Sequence, residues 1–355
     1  MRKIKVHIKN GRDKNYPIFV GLELLGKINS LFNIAHYSKA VVVTDRNIPQ
    51  SLVQNLQAIL PITNSAVVLD GGEQKKDLDN VGKVWKTLKD FGCDRKSLII
   101  NLGGGVTGDI GGFAASTFMR GIDFLQIPTT LLAQVDASIG GKAGINFLGI
   151  KNLIGTFQHP IAVIADVDTL STLPQREFIS GFAEIIKHGL IADKNYFKLV
   201  TAKKPQDFSQ NDLIEIIEKS CQIKAGIVSQ DEKESGLRKI LNFGHTIGHA
   251  IESLSQETDH PLLHGEAVSI GMITEGQISK MLGLLSEEEY KILEHSINQA
   301  GLPIKTFNIP VNKVLEKIKS DKKNEKGTIK WTLLQSIGKA IYNQKVDDSI
   351  VRKVL

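Results

Sequence analysis

A buried strand, a glycine-rich turn and a helix follow one another near the hundredth residue, and this order constrains the fold of the 355-residue chain most strongly. The apolar run Ser97–Leu102 precedes Gly103, Gly105 and Gly108, which are spaced as G-x-G-x-x-G, and Asp109–Ser116 has a helical pattern. Such a unit is typical of parallel α/β sheets, in which the glycines let backbone N–H groups approach a pyrophosphate at the start of the helix. The pattern predicts a dinucleotide site; the alternative is a tight turn without a ligand.

Other short apolar runs extend this pattern over the first half of the chain. The predicted strands are Ala40–Thr44, Ala66–Leu69, Phe124–Ile127 and Ile161–Ile164. Residues 81–88 have the spacing of an amphipathic helix. We expect residues 1–170 to form an α/β nucleotide-binding domain with a Rossmann-like parallel sheet. Asp45 follows the first of these strands and is a candidate to bind ribose hydroxyls, with a simple turn acid as the alternative.

The second half of the chain has the apolar period of helices. The predicted helices are Pro174–Leu190, Asp212–Val228, Ile240–Leu254, Glu266–Leu282 and Ser286–Ala300. Ser286 and the acids that follow it are typical of a helix start. We expect residues 171–355 to form an all-α metal-binding domain, apart from one late strand over Thr328–Leu334.

Charge and composition argue against several classes of protein. The net charge of +6 comes from dispersed basic residues and only 6% of residues are aromatic, so a nucleic-acid surface is not expected. The two cysteines, Cys93 and Cys221, have no metal spacing and predict a reducing compartment without a disulfide framework. No apolar run approaches ~18 residues, so we expect a cytoplasmic protein without a membrane segment.

One carboxylate and three imidazoles lie on the predicted helices of the second half. His245 and His249 are four residues apart and share a helix face, while Glu184 and His264 belong to other helices. Two imidazoles and one carboxylate with open coordination positions suit Zn²⁺ acting as a Lewis acid, although the spacing does not say which histidines would bind it. Lys187 lies one turn from Glu184 and faces the same space. The alternatives are core histidines and a solvated ion pair.

Further polar residues are candidates for binding an anionic substrate. The run from Thr129 to Asn152 reads as a long loop that carries Asp136, Lys142 and Lys151, and it is either functional or a plain surface loop. Lysines there would neutralise phosphate. Lys224, Arg238 and Asn242 add anion and hydroxyl binders on later predicted helices.

Together these motifs resemble the 3-dehydroquinate synthase family over nearly the whole chain. The matching segments are Gly71-Gly72-Glu73-Gln74-Lys75-Lys76, Gly104-Gly105-Val106-Thr107-Gly108-Asp109, residues 128–138 (PTTLLAQVDAS), Gly140-Gly141-Lys142, residues 151–155 (KNLIG), residues 181–184 (GFAE), residues 241–245 (LNFGH) and residues 264–268 (HGEAV). The resemblance implies bound NAD⁺, one Zn²⁺ or Co²⁺ ion and a homodimer.

The resemblance also assigns residues to each ligand. It implies that Glu184, His245 and His264 hold the metal and that His249 contacts the substrate. The residues implied for NAD⁺ are Asp45, Gly71, Gly72, Glu73, Gln74, Lys75, Lys76, Gly105, Val106, Thr107, Gly108, Asp109, Thr129, Thr130, Lys142, Lys151, Thr169, Leu170, Ser171 and Thr172. Those implied for the substrate are Asp136, Lys142, Asn152, Lys187, Lys224, Arg238, Asn242, His249 and Lys322 or Lys323, with Arg120 reaching the phosphate from a neighbouring subunit.

The implied activity is that of a carbon–oxygen lyase of the shikimate pathway. Its substrate is 3-deoxy-D-arabino-heptulosonate 7-phosphate, which is oxidised transiently by NAD⁺, loses phosphate, is reduced again and closes to 3-dehydroquinate by an intramolecular aldol step. His249 and Lys187 are the candidate proton handlers. The alternatives are a sister sugar-phosphate cyclase, a dehydrogenase with net NADH formation, and a non-catalytic or nucleic-acid-binding protein.

Overall fold

The chain divides into two compact units. The computed structural model describes residues 1–8, 15–306, 309–320 and 329–355. The first unit is Met1–Leu173 with Leu213–Ser229, and the second is Pro174–Asp212 with Gln230–Leu355. The sequence-based division after residue 170 differs from this because it leaves Leu213–Ser229 in the second part. That segment joins the first unit through contacts such as the thiol of Cys221, which donates to the Gln134 carbonyl oxygen at 3.4 Å.

A seven-stranded sheet is the centre of the first unit. The strands of the first half of the chain are β1 (Arg2–Val6), β2 (Tyr16–Gly21), β3 (Ala40–Asp45), β4 (Asn64–Leu69), β5 (Leu98–Gly103), β6 (Asp123–Pro128), β7 (Lys142–Phe147), β8 (Ile150–Phe157) and β9 (Ala162–Asp166). The sheet order is β1-β2-β9-β6-β5-β3-β4, and every neighbouring pair is parallel except β1 with β2. The predicted parallel α/β sheet is therefore confirmed.

Two hydrophobic clusters flank this sheet, because successive side chains of a strand point to opposite faces. Val42 and Ile100 belong to one cluster, and their neighbours Val41 and Ile99 belong to the other. The helices of the first half are α1 (Ile28–Leu31), α2 (Gln50–Ile59), α3 (Leu78–Asp90) and α4 (Gly105–Thr117). The continuous apolar runs of β3 and β5 follow from burial on both faces. β1 was not predicted from the sequence, because its charged residues alternate with only two buried ones.

The run from Thr129 to Asn152 is not a loop, and this prediction was wrong. It contains a π-helical turn over Ala133–Ala137 and then strand β7, which pairs with β8 in an antiparallel hairpin. The hairpin turns at Leu148 and Gly149, which both have positive φ, 50° and 76°. Polar and glycine residues within the strands concealed the alternation that would have indicated a hairpin.

The second half of the chain is mainly helical, as predicted. Its helices are α5 (Gln175–Ala192), α6 (Lys194–Val200), α7 (Gln210–Gln230), α8 (His245–Ser255), α9 (His264–Met281), α10 (Glu287–Gln299), α11 (Val311–Ser320) and α12 (Asp348–Val354). The predicted helix Ile240–Leu254 is broken: a 3₁₀ turn over Leu237–Asn242 ends before Gly244, whose φ of 82° breaks the helix. α11 and α12 were not predicted.

The second unit is not purely α-helical, because the late strand has a partner. Strand β10 (Trp331–Ser336) pairs with β11 (Lys339–Gln344) in an antiparallel hairpin. Trp331 and Leu333 of this hairpin lie in the hydrophobic core of the second unit. No helix in the described parts of the chain is long and apolar enough to cross a membrane.

Candidate functional site

Residues predicted to bind a dinucleotide follow the carboxyl ends of parallel strands in the first unit. β3 ends at Asp45, β4 is followed by Gly71, β5 ends at Gly103 and β6 is followed by Thr129. The predicted residues Thr169, Leu170, Ser171 and Thr172 form a 3₁₀ turn directly after β9. We call this set of strand ends the carboxyl edge. Open α/β sheets bind their ligands at such an edge.

The glycine-rich turn opens helix α4 at the carboxyl edge. The helix begins at Gly105, four residues before the predicted start, and Gly104 caps it without a side chain. A Cβ atom on Gly103 would lie 2.7 Å from Thr107 Oγ1, and one on Gly108 would lie 2.9 Å from Gln126 Oε1. Both positions therefore have no room for a side chain, and the first turn of α4 has N–H groups without partners within the helix, as an anion site requires.

Asp45 is held at the carboxyl edge by two donors. The Thr107 hydroxyl donates to Asp45 Oδ2 at 2.7 Å, and the backbone N–H of Asn47 donates to Oδ1 at 2.9 Å. A Cβ atom on Gly71 would lie 3.4 Å from Asp45 Oδ1. Beside it lies a depression of about 460 Å³, lined by Arg46, Asn47, Asp70, Gly71 and Lys75. Asp45 is thus a fixed, buried carboxylate whose chain neighbours Arg46 and Asn47 line the depression.

Lys76 contacts two other predicted residues. Its Nζ atom contacts the Asp109 carboxylate and donates to Asn152 Oδ1 at 2.6 Å. The β7–β8 hairpin reaches this lysine because Asn146 donates to the Glu73 carbonyl oxygen at 3.0 Å and accepts from the Asn152 backbone at 2.9 Å. The hairpin therefore brings Asn152 to the motif at residues 71–76.

A second lysine lies in the same neighbourhood. Lys224 Nζ donates to both the carbonyl oxygen and Oδ1 of Asp136, each at 2.6 Å. Burial raises the pKa of the Asp109 carboxyl, and the charges of Lys76 and Lys224 oppose that rise. Two lysines and two carboxylates from four separate segments thus form one charged cluster, which the sequence spacing alone could not show.

Gln134 ties two strand ends together and was not among the predicted site residues. Its Nε2 atom donates to the carbonyl oxygens of Pro128 and Asp166, at 3.2 and 2.9 Å, and to Thr169 Oγ1 at 3.2 Å. Thr130 caps the turn that carries Gln134, since its hydroxyl accepts from the Ala133 backbone at 3.2 Å. Thr129 Oγ1 is buried without a hydrogen-bond partner in the described part of the chain.

Three predicted residues, Lys142, Lys151 and Arg120, do not take part in the contacts described above. Lys142 and Lys151 lie on the β7–β8 hairpin, where Lys142 is exposed. Arg120 is exposed in a bend whose residues Met119 and Arg120 both have positive φ, 50° and 69°. Lys322 and its alternative Lys323 lie outside the described residues.

In the second unit, Glu184 and three histidines form a compact group that we call the histidine cluster. Glu184 Oε1 lies 3.6 Å from His245 Nε2 and 3.8 Å from His264 Nε2. The ring centroids of His245 and His249 are 4.9 Å apart, and those of His249 and His264 are 5.8 Å apart. Ligand atoms from Glu184, His245 and His264 all lie within 4.8 Å of one another, a spacing suited to one shared ion.

The far sides of two rings have acceptors. His245 Nδ1 lies 3.2 Å from the Phe243 carbonyl oxygen, and His264 Nδ1 lies 3.2 Å from Glu252 Oε2. An N–H on each Nδ1 leaves Nε2 with its lone pair towards Glu184. This arrangement is the usual outer support of metal-binding histidines, because it fixes both the tautomer and the ring orientation.

The donor set fits a divalent metal. Glu184 is fully buried, it contacts Lys187 Nζ, and no group in the described residues makes a well-directed hydrogen bond to either of its carboxylate oxygens. Burial lowers the pKa of His245 well below its usual value, and the nearby Lys187, His249 and His264 lower it further. His245 is therefore neutral at neutral pH, the form that binds a metal.

Two predicted substrate residues lie in the 3₁₀ turn that precedes α8. Arg238 is buried, and its Nη1 donates to the Glu232 carbonyl oxygen at 2.5 Å. Asn242 Nδ2 donates to Glu234 Oε1 at 2.5 Å. Asp231 stabilises this turn by accepting from the Arg238 backbone at 3.0 Å. The sequence reasoning did not single out the acids of this turn or Glu252, because their partners become visible only in the folded chain.

The chain is similar to known proteins over its whole length. A family model described as 3-dehydroquinate synthase N-terminal matches residues 66–180, and one described as 3-dehydroquinate synthase C-terminal matches residues 181–324. The 3-dehydroquinate synthase of Thermodesulfovibrio yellowstonii is 42% identical, with 100% of this chain and 99% of that protein covered. The enzyme of the same name from Ruminiclostridium cellulolyticum is 40% identical, with 98% of each covered.

Solved structures of related cyclases have the same fold. A 2-deoxy-scyllo-inosose synthase complexed with carbaglucose-6-phosphate, NAD⁺ and Co²⁺ is 26% identical, with a TM-score of 0.88 and 99% of each chain covered. The 2-epi-5-epi-valiolone synthase of Streptomyces hygroscopicus, with NAD⁺ and Zn²⁺ bound, is 26% identical, with a TM-score of 0.88 and 98% of each chain covered. The sequence relatives named above are nearer than these. From its matched halves and its full-length relatives, the chain belongs to the 3-dehydroquinate synthase family.

Proposed function

We propose that the protein converts 3-deoxy-D-arabino-heptulosonate 7-phosphate to 3-dehydroquinate and phosphate. The histidine cluster carries this proposal together with the full-length similarity, since relatives of this name are 40% to 42% identical. The second candidate function is the activity of a sister sugar-phosphate cyclase. The related cyclases of known structure are only 26% identical to this chain. The lysine and arginine residues among the proposed substrate residues suit a substrate that carries a carboxylate and a phosphate.

NAD⁺ and one divalent metal ion are the proposed cofactors. The carboxyl edge would hold NAD⁺, with its pyrophosphate at the start of α4 and a ribose hydroxyl at Asp45. Glu184, His245 and His264 would hold Zn²⁺ or Co²⁺, the metals bound in the related cyclases. When bound, the nicotinamide accepts and returns one hydride, and the metal acts as a Lewis acid towards substrate oxygens.

The protein's own groups would bind and orient the substrate and move protons. In the first unit, Lys224 is buried and its ammonium group is held by Asp136. It therefore supplies positive charge at a fixed position. In the second unit, Arg238 is buried and oriented by the turn that precedes α8. Lys187, buried beside Glu184, and His249 are the proposed proton handlers. Fixed charges of this kind lower a barrier by positioning and electrostatics.

Two wider aspects also remain proposals. We expect a homodimer in which Arg120 contributes to the partner's phosphate site, and the exposed position of Arg120 supports this. A cytoplasmic location is expected from the two unpaired, buried cysteines.

The decisive test measures phosphate release from 3-deoxy-D-arabino-heptulosonate 7-phosphate with NAD⁺ and Zn²⁺, while absorbance is followed at the NADH band. Release without net NADH, lost on chelation, is the expected result. Release only from sugar phosphates that lack the carboxylate would move the protein to a sister cyclase. Accumulating NADH would indicate a dehydrogenase instead.

A further inference from the structure

Glu275 is a buried acid to which the proposed mechanism gives no task. It lies on α9, is fully buried, and its carboxylate oxygens accept from the backbone N–H of Gly244 at 2.7 Å and of Ile247 at 3.2 Å. These N–H groups belong to the cap and first turn of α8, where a helix has donors without partners of its own. The usual cap side chain is missing here, because the cap residue is Gly244.

The two helices approach each other closely at their glycines. A Cβ atom on Gly244 would lie 2.6 Å from Met272 Cγ, and one on Gly248 would lie 3.0 Å from the Cα atom of Val268. A Cβ atom on Gly271 would overlap the Gly244 carbonyl oxygen. Gly244 lies at Met272 and Gly248 lies at Val268, so residue numbers rise along α8 while they fall along α9. The helices are therefore antiparallel, and their backbones are in contact at the glycines. Few side chains can interlock at the glycines themselves, so a hydrogen bond directed from one helix to the other helps to fix their relative position.

The position of α8 along α9 sets the distance between two metal-ligand candidates. His245 is the first residue of α8, and His264 is the first residue of α9. A slide of α8 along α9 would move His245 relative to His264, whose ring centroids are now 5.4 Å apart. Glu275 is anchored in α9 and bonded to the residues on both sides of His245, so it opposes this slide.

We infer that Glu275 is a positioning residue that caps α8 from the neighbouring helix and thereby fixes His245 for metal binding. This inference rests on the proposed ligand set of Glu184, His245 and His264. Among the described residues, the hydrogen bonds of the Glu275 side chain go to the backbone of Gly244 and Ile247 and not to a ligand side chain. Its effect is expected in metal affinity and in the geometry of the bound ion, because supports outside the ligand set typically change metal affinity by about 10- to 100-fold.

The test compares Glu275→Gln with Ser279→Ala. Glutamine keeps the shape of glutamate, but its NH₂ group cannot accept a hydrogen bond from a backbone N–H, which a carboxyl oxygen can. Ser279 is a matched control, since it is buried one turn further along α9, donates to the Glu275 carbonyl oxygen within that helix and accepts from Leu334, without a hydrogen bond to α8. Affinity for Zn²⁺ is measured by competition with a chromophoric chelator, and the visible absorption of the Co²⁺-loaded protein reports the ligand geometry.

We expect Glu275→Gln to weaken Zn²⁺ binding by about tenfold or more and to alter the Co²⁺ spectrum, while Ser279→Ala changes neither. If Glu275→Gln matches the wild type in both measurements, the inference is overturned. If Glu275→Gln does not fold, Glu275→Asp, whose shorter side chain draws the carboxylate away from α8, is judged by the same criterion. A His245→Ala variant that keeps wild-type Zn²⁺ affinity would overturn the ligand set itself, a failure distinct from that of Glu275.

Discussion

The carboxyl edge of the first unit and the histidine cluster of the second unit both gather polar side chains at the ends of secondary structure, but they satisfy these side chains differently. At the carboxyl edge the polar groups bond to one another, as Thr107 does to Asp45 and Lys224 does to Asp136. In the histidine cluster, the buried Glu184 receives no well-directed hydrogen bond from the described residues. The first site depends mainly on glycines that leave no room for side chains, and the second depends on side chains that can bind a metal. Different substitutions should therefore impair NAD⁺ binding and metal binding.

The largest expected effect is on metal binding, from His264→Ala. Loss of a direct ligand should reduce Zn²⁺ affinity by more than the ~10- to 100-fold of an outer support and abolish phosphate release with it. Metal content after gel filtration and the phosphate assay measure both. His295→Ala changes an exposed histidine on α10 and serves as the control. Full activity of metal-free His264→Ala would contradict the assignment.

Metal removal should destabilise the wild-type protein. An ion present at about 100 times its dissociation constant stabilises the folded state by roughly 2.7 kcal/mol. Chelation should therefore lower the thermal midpoint of the wild type, whereas that of His264→Ala should not respond. Equal responses in a differential scanning experiment would argue against binding at this cluster.

Gly103→Ala should damage the carboxyl edge and leave the histidine cluster intact. The added methyl group would meet the Thr107 side chain and displace it from Asp45. Overpacking of this kind costs about 1–3 kcal/mol, so we expect NAD⁺ affinity to fall by roughly tenfold. Calorimetric titration with NAD⁺ and with Zn²⁺ measures the affinity of each site. A parallel loss of Zn²⁺ affinity would contradict the view that the two sites depend on different residues.

The pH dependence of stability should reveal Glu275. Burial raises its pKa to about 8 from the ordinary 4.5, while the backbone N–H groups of α8 oppose the rise. The folded state then binds more protons than the unfolded state between these values, so the free energy of unfolding falls as pH rises from 4.5 towards 8. Denaturant unfolding of the metal-free protein should show this slope in the wild type and a smaller one in Glu275→Gln. Identical slopes would mean that Glu275 does not titrate in this range.

The smallest expected effect comes from Gly82→Ala on α3. A Cβ atom there would meet nothing within 4 Å, unlike one at Gly103. Alanine in a helix interior is more stable than glycine by roughly 0.5–1 kcal/mol, and binding of both cofactors should stay unchanged. Urea unfolding measures the change in stability. A destabilised Gly82→Ala variant would show that the space around the Cβ position does not explain the different tolerance of Gly82 and Gly103.

Sequence patterns predicted the parts of the molecule that depend on local chemistry. Apolar runs such as Ala40–Thr44 indicated buried strands, and the glycine spacing placed the turn before α4. The choice of His264 over His249 as a metal ligand came from family resemblance, because helical spacing treats all histidines alike. The outer acids Glu252 and Glu275 were missed, since their partners lie 12 and 31 residues away in the chain. The β7–β8 hairpin was missed because its polar residues imitate a loop.

That hairpin has a consequence for insertions and deletions. Asn146 and Asn152 lie on either side of its turn, and both bond towards residues 73–76. Asn152 has a positive φ of 51°, and the pairing of β7 with β8 is irregular between Ile145 and Phe147. Since the length of the turn helps to set the register of a hairpin, a residue inserted after Gly149 would move Asn152 relative to Lys76. Length variants of this turn should therefore weaken the contact between the hairpin and the motif at residues 71–76.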